Sequence, residues 1–382
     1  MYRTTKLATA LFCALSTTSI AGNELVGFHD NAKGSPLVKM LDSARNSIRI
    51  EIYEMHDATV HKAIRSALDR GVTVSIVQEP APMEARCHIF SPKTSSDDKK
   101  CADLKSLVQE VRNSGGSYKP FNKKLCGVSG HSCFQHGKIV IVDDKLALVS
   151  TGNFNNTNLC DLDTNPEVCN RDYSVVTDDQ QTITALSAIF DADLKGEKLD
   201  RNQMLSPELA DKLTVSPISL ERIIDFIESA KKSVRVQNQY LHEPKINKAL
   251  QNKAKAGVDV QVMVSSLCWF NRPKPHEVDQ ATKTFTAFDE AGISTRFFTK
   301  KIQVRGKPGY LHAKAIVVDD EKAWVGSMNG SNESANMNRE YGLFFDNAKW
   351  VAELTQIMDT DQADDGAETW QESLDCLKDR KP

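Results

Sequence analysis

The chain contains two copies of one sequence pattern, and this internal repeat limits the folds available to it. Residues 43–55 (SARNSIRIEIYEM) correspond to residues 229–241 (SAKKSVRVQNQYL) at an offset of 186 positions, and the match continues beyond both segments without a gap. In each copy a helical spacing of apolar residues is followed by strand-like alternation, and the two patterns then recur. The repeat predicts an α/β fold of two related units, residues 22–200 and 201–382, each with a mixed or parallel sheet flanked by helices.

The composition is that of an ordinary globular protein. The 382 residues include 48 Lys and Arg against 51 Asp and Glu, a formal net charge of −3 at pH 7, and 40% are hydrophobic. These values exclude disordered, collagen-like and coiled-coil chains. Because bulk positive charge is lacking, they also remove the simplest argument for a nucleic-acid-binding protein.

The first 21 residues have the pattern of a cleavable signal peptide. Arg3 and Lys6 precede an apolar stretch that ends in the small residues Ser19 and Ala21, so we expect cleavage before Gly22. A membrane anchor is the weaker interpretation, since the apolar run is short and interrupted by hydroxyl residues. The mature protein is therefore expected to be secreted or periplasmic.

The cysteines agree with export. Eight remain after cleavage, an even number that predicts a disulfide framework. Sequence alone does not fix the connectivity. Short separations favour the pairs Cys126–Cys133 and Cys160–Cys169, which leaves the pairs Cys87–Cys101 and Cys268–Cys376. A zinc site is the competing interpretation, but the chain has no Cys-x-x-Cys spacing.

Each half contains the motif His-x-Lys-x-x-x-x-Asp. Its members are His136, Lys138 and Asp143 in the first half and His312, Lys314 and Asp319 in the second. One such match would be a moderate indication, but two at matching places in a repeat are strong evidence for a shared function. The apolar residues after each lysine predict a buried strand, on which His and Lys, two positions apart, project from the same face.

Two imidazoles and two lysines in one site predict phosphodiester chemistry. A neutral imidazole can attack phosphorus and form a phosphohistidine, while a protonated one can give its proton to the departing alkoxide. Lysines neutralise phosphoryl oxygens, and nearby amides and hydroxyls donate hydrogen bonds to them; the candidates are Asn153, Asn329 and Ser327. Asp172 and Glu340 each follow an Asn-Arg pair and are candidates to orient a histidine through its other ring nitrogen.

These paired motifs, with the segments GSMN at residues 326–329 and NREYG at residues 338–342, resemble the phospholipase D superfamily. The resemblance covers nearly all of the mature chain. It implies two pseudo-twofold-related α/β domains whose histidines meet in one central site within a monomer, with no metal and no cofactor.

By this resemblance His136 is the nucleophile and His312 the general acid. Lys138 and Lys314 bind the phosphate, and Asp143 and Asp319 are structural members of the motif. The first half departs from the family pattern in having Ser150-Thr151 in place of Gly-Ser and Asp172 in place of Glu. It also has an insertion near residues 160–169, which we interpret as a disulfide-closed loop.

A lone histidine is ordinarily expected to be a hydrogen-bonded residue of the protein core. For His136 and His312 the duplicated motif instead favours a catalytic role. His56 and His61 could suggest a metal pair, but a spacing of five residues places them off a common helical face. We therefore predict no metal ligand among the remaining histidines.

The substrate is less constrained than the chemistry. Two motifs in one chain, and Trp269 and Phe270 in a predicted surface loop that could contact a membrane, favour a phospholipid. Basic stretches at residues 118–124 and 299–307 would suit a nucleic acid or an anionic head group equally. The first hypothesis is an exported phospholipase D releasing phosphatidic acid. The alternatives are a cardiolipin synthase-like phosphatidyl transferase, a secreted metal-independent nuclease, and a non-catalytic binding protein.

Overall fold

The fold was analysed in a computed structural model, which describes residues 27–82, 88–90, 99–125, 133–160, 165–199, 209–267 and 275–378. The predicted signal peptide lies outside these residues. So does the segment 268–274, which contains the predicted membrane-contact loop.

The first half forms a seven-stranded mixed sheet. Its strands are β1 (Gly27–Asp30), β2 (Ser47–Ile52), β3 (Thr73–Gln78), β4 (Ser117–Pro120), β5 (Lys138–Val142), β6 (Leu146–Ser150) and β8 (Tyr173–Thr177). They lie in the order β1-β8-β6-β5-β2-β3-β4. The pairs β2/β3 and β3/β4 are parallel and the other neighbours antiparallel.

The second half repeats this arrangement. Its sheet has the order β12-β11-β10-β15-β16-β17-β9 and consists of β9 (Leu213–Val215), β10 (Ser233–Asn238), β11 (Asp259–Ser265), β12 (Ser294–Phe298), β15 (Lys314–Val318), β16 (Lys322–Gly326) and β17 (Tyr341–Phe345). A small third sheet, in the order β13-β14-β7, links the halves. It contains β7 (Cys169–Arg171), β13 (Gln303–Val304) and β14 (Lys307–Leu311). The predicted pair of α/β units with mixed sheets is confirmed.

Helices cover the sheets. In the described residues these are α1 (Leu37–Ser43), α2 (Ala58–Asp69), α3 (Lys99–Asn113), α4 (Asn156–Leu159), α5 (Gln180–Lys195), α6 (Ser219–Glu228), α7 (Pro244–Lys255), α8 (Pro275–Ala291), α9 (Asn332–Asn336), α10 (Ala348–Ala363) and α11 (Trp370–Lys378). Two short 3-10 helices, Asn31–Lys33 and Lys123–Leu125, complete the set. Among the helices of the described ranges, none combines the length and apolar character needed to cross a membrane.

The two large sheets pack against each other through a central apolar core. This core includes Ile139 and Ile141 of β5 together with Ala315 and Val317 of β15. A separate apolar core lies on the outer face of each sheet, beneath α1 to α3 in the first half and α6 to α8 in the second. Because β5 and β15 both border the central core, the motif residues that precede them meet where the halves join.

Each motif aspartate closes a turn of its own half. Asp143, with a left-handed φ of 54°, accepts backbone hydrogen bonds from Asn46 (2.7 Å) and Ser47 (2.8 Å). Asp319, with φ 56°, accepts one from the equivalent Ser233 (2.9 Å). Both carboxylates therefore tie the start of a repeat strand to the end of a motif strand, far from the histidines.

Candidate active site

The two halves contribute matched groups to one buried site. His136 and His312 each lie two residues before the lysine that begins β5 or β15. Lys138 and Lys314 have no exposed surface, and the side chains of His136 and His312 are only 15% and 10% exposed. The structure thus brings all four motif side chains to the junction of the two sheets.

Each histidine is oriented by a carboxylate from the opposite half. The Nδ1–H of His136 donates to Glu340, with 2.9 Å to each carboxylate oxygen. The Nδ1 of His312 lies 2.9 Å from Asp172 Oδ1. Such a bond fixes the tautomer that leaves Nε2 unprotonated and available to the substrate. The pairs are crossed, so neither half alone contains an oriented histidine.

Glu340 is held by a set of donors on its own half. Ser327 Oγ donates to it at 2.6 Å, Ser334 Oγ also donates to it, and Asn338 Nδ2 lies 3.3 Å away. The backbone N–H of Tyr341 donates to Ser327 Oγ at 3.0 Å. Ser327, predicted from sequence to bind phosphate, is therefore engaged in positioning the carboxylate.

Asp172 is held in an equivalent way, although its side chain is one methylene shorter than glutamate. Thr151 Oγ1 donates to Asp172 Oδ1 at 2.5 Å, and Asn158 Nδ2 donates to Oδ2 at 2.7 Å. Asn158 Nδ2 also lies 3.2 Å from His312 Nδ1. Asp172 still reaches the imidazole of His312, so the departure from the family pattern leaves the pair intact.

Burial sets the charge of the histidines. It lowers the pKa of His136, against the opposing effect of Glu340. It lowers the pKa of His312 to about 4, with Lys314 adding to the effect. Burial alone would raise the pKa of Glu340 and Asp172, but the imidazole and lysine beside each carboxyl outweigh it, so both pKa values lie below their ordinary range. Near neutral pH the unliganded site holds neutral imidazoles and ionised carboxylates.

The lysines lie beneath the histidines. The ammonium groups of Lys138 and Lys314 donate to the backbone carbonyls of His136 and His312 respectively. Burial lowers the pKa of Lys138 to about 8 and that of Lys314 well below its usual 10.5. A bound phosphodiester would oppose this effect, because its negative charge favours the protonated lysines.

The two asparagines predicted to bind phosphate follow β6 and β16, the strands that pair with the motif strands. Asn153 and Asn329 are 7% and 4% exposed, and the side-chain oxygen of each has no hydrogen-bond partner in the described part of the chain. Asn329 Nδ2 donates to the hydroxyl oxygen of Tyr240 at 2.9 Å. Rotation of this amide by half a turn would let the Tyr240 hydroxyl donate to Oδ1 and would leave Nδ2 free to donate elsewhere.

Three residues that hold the orienting carboxylates were not singled out from the sequence: Asn158, Ser334 and Asn338. Asn158 and Ser334 occupy equivalent positions, each five residues after Asn153 or Asn329, and each donates to the carboxylate of its own half. Their shared place in the repeat is a signal that a single sequence contains, and Asn338 begins the NREYG segment that carries the family resemblance.

His56 and His61, for which no metal role was predicted from the sequence, contact separate carboxylates. His56 Nε2 bonds to Glu54 at 2.6 Å, whereas His61 contacts Asp103 and lies 3.2 Å from the carbonyl of Met55. Across those residues no group of three or more His, Cys, Asp or Glu side chains is arranged to hold a metal ion.

One of the predicted disulfides is described in full. Cys160 and Cys169 are bonded, with 5.2 Å between their Cα atoms. Cys101 and Cys133 are also disulfide-bonded, to partners outside the described residues. The side chains that complete the other predicted pairs lie outside the described residues as well: Cys87, Cys126, Cys268 and Cys376.

The site thus combines a duplicated α/β fold, crossed histidine and carboxylate pairs, and two buried lysines. Residues 37–194 and 223–362 match the family described as cardiolipin synthase, PLD-like domain. The chain belongs to this family, and with it to the phospholipase D superfamily.

Curated relatives agree with the family. The chain is 26% identical over 277 residues to the cardiolipin synthase of Halalkalibacterium halodurans, a match that covers 65% of this chain and 50% of that protein. It is 23% identical over 360 residues to cardiolipin synthase A of Pseudomonas entomophila, covering 90% of this chain and 69% of the relative. The chain thus spans half of the first relative and about two thirds of the second.

A solved structure supports the fold. The phosphatidylserine synthase of Haemophilus influenzae Rd KW20 superposes with a TM-score of 0.61 at 13% sequence identity. The superposition covers 93% of this chain and 92% of that one. The whole described architecture, and not one half alone, therefore has a counterpart among solved structures.

Proposed function

We propose that the protein transfers the phosphatidyl group of a phospholipid to an alcohol through a phosphohistidine, as a cardiolipin synthase-like transferase. The observation that carries the proposal is the pair of crossed imidazole and carboxylate bonds, each 2.9 Å long, above two buried lysines. The phospholipid substrate is supported by the curated relatives. Hydrolysis to phosphatidic acid is the same reaction with water as the acceptor.

The residues divide the reaction into two displacements. His136 Nε2 attacks phosphorus, the bond from phosphorus to the head-group oxygen breaks, and His312 gives its proton to the leaving oxygen. An acceptor hydroxyl then attacks the phosphohistidine while His312 takes its proton, and the bond from phosphorus to nitrogen breaks. Lys138 and Lys314 offset the charge on the phosphoryl oxygens in both steps.

The general acid must be protonated when the substrate is bound. Burial holds the pKa of His312 at about 4 in the unliganded site. A phosphodiester anion between the imidazoles favours the protonated form and raises that pKa, as the carboxylate of Asp172 already does. Substrate binding would thus supply the proton arrangement that the unliganded site lacks.

The basic stretches give little support to a nuclease. Lys123 bonds to Glu79 at 2.6 Å, and Arg305 donates to the carbonyl of Cys160 at 3.0 Å. Lys307 lies 2.9 Å from the side-chain oxygen of Asn165. These cations are used within the protein, and none of these contacts favours a track for a nucleic-acid backbone.

The test is to give the signal-free, oxidised protein a fluorescent phosphatidylglycerol in vesicles with EDTA, and single-stranded DNA in a parallel reaction. We expect cardiolipin and free glycerol, with the fluorescent phosphatidyl group trapped on His136 after rapid denaturation in detergent at neutral pH, because acid hydrolyses a phosphorus–nitrogen bond. His136→Ala should abolish both. Phosphatidic acid as the sole product would favour the phospholipase D hydrolase, and DNA cleavage with inert lipid would overturn the proposal.

We also propose that residues 1–21 direct export. The support is the sequence pattern of this segment and the disulfide bonding of Cys160 and Cys169. The first residue of the protein recovered from outside the cytoplasm should be Gly22, as N-terminal sequencing would show; a retained Met1 would contradict export by cleavage.

A further inference from the structure

The two halves of the site differ at several aligned positions, and one of these differences changes the charge of the site. The repeat aligns Glu54 with Tyr240 and His56 with His242. In the second half the two rings stack, with centroids 5.2 Å apart. In the first half the same positions hold a carboxylate and an imidazole bonded to each other at 2.6 Å. The pseudo-twofold symmetry of the site is therefore broken by a negatively charged group.

The contacts on both sides place this pair at the site. The backbone N–H of Phe154, immediately after Asn153, donates to the carbonyl of Glu54 at 3.0 Å. In the second half the Tyr240 hydroxyl oxygen lies 2.9 Å from Asn329 Nδ2. Because Asn153 and Asn329 are the equivalent predicted phosphate ligands, Glu54 occupies on the His136 side the place that Tyr240 occupies on the other.

Glu54 and His56 keep unused hydrogen-bonding capacity. Glu54 is 1% exposed, and apart from His56 the contact to its carboxylate is a long one of 3.5 Å from Asn155 Nδ2. His56 Nδ1 is buried and has no hydrogen-bond partner in the described part of the chain. Glu54 is also near enough to Lys138 to oppose the lowering of the lysine pKa by burial. Buried acceptors of this kind are costly unless a donor reaches them.

We propose that Glu54 and His56 form a head-group subsite that accepts hydrogen bonds from a neutral, hydroxyl-bearing group of the glycerol type. The inference rests on the proposed function and specifies the head group that this side of the site receives. With Nε2–H of His56 donating to Glu54, Nδ1 presents a lone pair to one hydroxyl, and the carboxylate accepts from a second.

The chemistry of the pair disfavours two other head groups, a second phosphate and choline. A second phosphate would be repelled by the Glu54 carboxylate, whose hydrogen-bond partner His56 is neutral in this tautomer. Choline has no hydrogen to donate and would leave both acceptors unsatisfied. A site built for donor hydroxyls discriminates strongly against an analogue that lacks them.

The experiment measures equilibrium binding of soluble head-group diesters by calorimetry in EDTA, using the full mature protein with His136→Ala, which cannot form the phosphohistidine and so does not consume the diester. Glycerophosphoglycerol should bind about tenfold more tightly than glycerophosphocholine. Glu54→Gln should weaken the first about fivefold, because a neutral acceptor replaces an ionised one, and should leave the second within twofold. His56→Gln, which still donates to Glu54 but loses the Nδ1 lone pair, should weaken only the first.

The exposed Glu228, changed to Gln, is the matched control and should leave both affinities unchanged. Equal weakening of both diesters by Glu54→Gln would show a structural role and overturn the inference. Tighter binding of glycerophosphoethanolamine than of glycerophosphoglycerol would indicate an ammonium subsite and also overturn it. Since binding is measured without turnover, failure of phosphatidyl transfer would count against the proposed function separately.

Discussion

At the scale of single residues, the orientation of each imidazole depends on a carboxylate far away in the sequence. His136 and Glu340 are 204 positions apart, and His312 and Asp172 are 140 apart. A carboxylate in this position fixes the ring and the tautomer and stabilises the imidazolium that forms during the reaction. The carboxylates are therefore expected to matter almost as much as the histidines.

Replacing Glu340 with Gln should lower kcat by roughly 10²- to 10⁴-fold, because an amide that donates to Nδ1 leaves the proton on Nε2. Asp172→Asn should act in the same range on the other imidazole. The measurement is phosphatidyl transfer at a temperature where circular dichroism shows both variants folded. Glu228→Gln serves as the control, and a Glu340→Gln rate within twofold of the unmodified protein would contradict the assignment.

Much of this site was predictable from residues, but the pairing was not. The duplicated motif identified the histidines and lysines, and the repeated Asn-Arg-acid segment identified Asp172 and Glu340. Which carboxylate serves which histidine depends on how the two sheets face each other, and a repeat in the sequence does not contain that information. The engagement of Ser327 with Glu340 was missed for the same reason, since a hydroxyl beside a motif points equally well to phosphate or to a carboxylate.

At the scale of elements, the insertion of the first half stabilises the helix α4, which contributes a side chain to the site. Cys160 ends α4 in a left-handed conformation (φ 52°) and is bonded to Cys169 at the start of β7. Asn158, which contacts both Asp172 and His312, belongs to the same α4. The disulfide thus fixes the element from which an orienting side chain projects.

Removing this disulfide by the double change Cys160→Ala and Cys169→Ala should lower the free energy of unfolding by about 3 kcal/mol, the loop-closure value for a separation of this size. Urea unfolding of both proteins would measure it. We also expect reduced transfer activity below the denaturation midpoint, because Asn158 loses its support. A loss of stability under 1 kcal/mol with unchanged activity would show that packing alone holds the loop.

At the scale of the whole molecule, the halves join through two buried polar networks that are equivalent but not identical. In one, the Tyr173 hydroxyl donates to Gln237 at 2.6 Å, and the Gln237 amide donates to Asp361 at 2.9 Å. In the other, the Tyr341 hydroxyl donates to Glu51 Oε2 at 2.6 Å, while Glu51 Oε1 has no hydrogen-bond partner in the described residues and the charge of Asp193 acts on this carboxyl. The repeat aligns Glu51 with Gln237.

Glu51 matches the donor role of Gln237 only when it is protonated. Burial first, and then the charge of Asp193, raises the pKa of Glu51 well above its ordinary value. A carboxyl whose pKa is higher in the folded than in the unfolded protein stabilises the fold fully below the unfolded pKa. That contribution is lost as the pH rises toward the folded value.

Glu51→Gln should therefore make the protein increasingly more stable than the unmodified one as pH rises from 5 to 8, by up to about 1.4 kcal/mol per pH unit. Urea unfolding at several pH values would measure this difference, with Glu228→Gln as the control that shows no such trend. A difference independent of pH would show that Glu51 is ionised in the folded protein.

The fold could be predicted from the repeat, because two copies of one helix and strand pattern are expected to form two similar sheets, each with its apolar faces buried. The contact between those sheets has a further consequence for activity. A motion that separates the sheets as rigid bodies breaks both imidazole–carboxylate bonds together, because each bond joins a histidine of one half to a carboxylate of the other. Catalytic activity would therefore depend on the packing of the two halves, and it would be lost whenever the sheets separate.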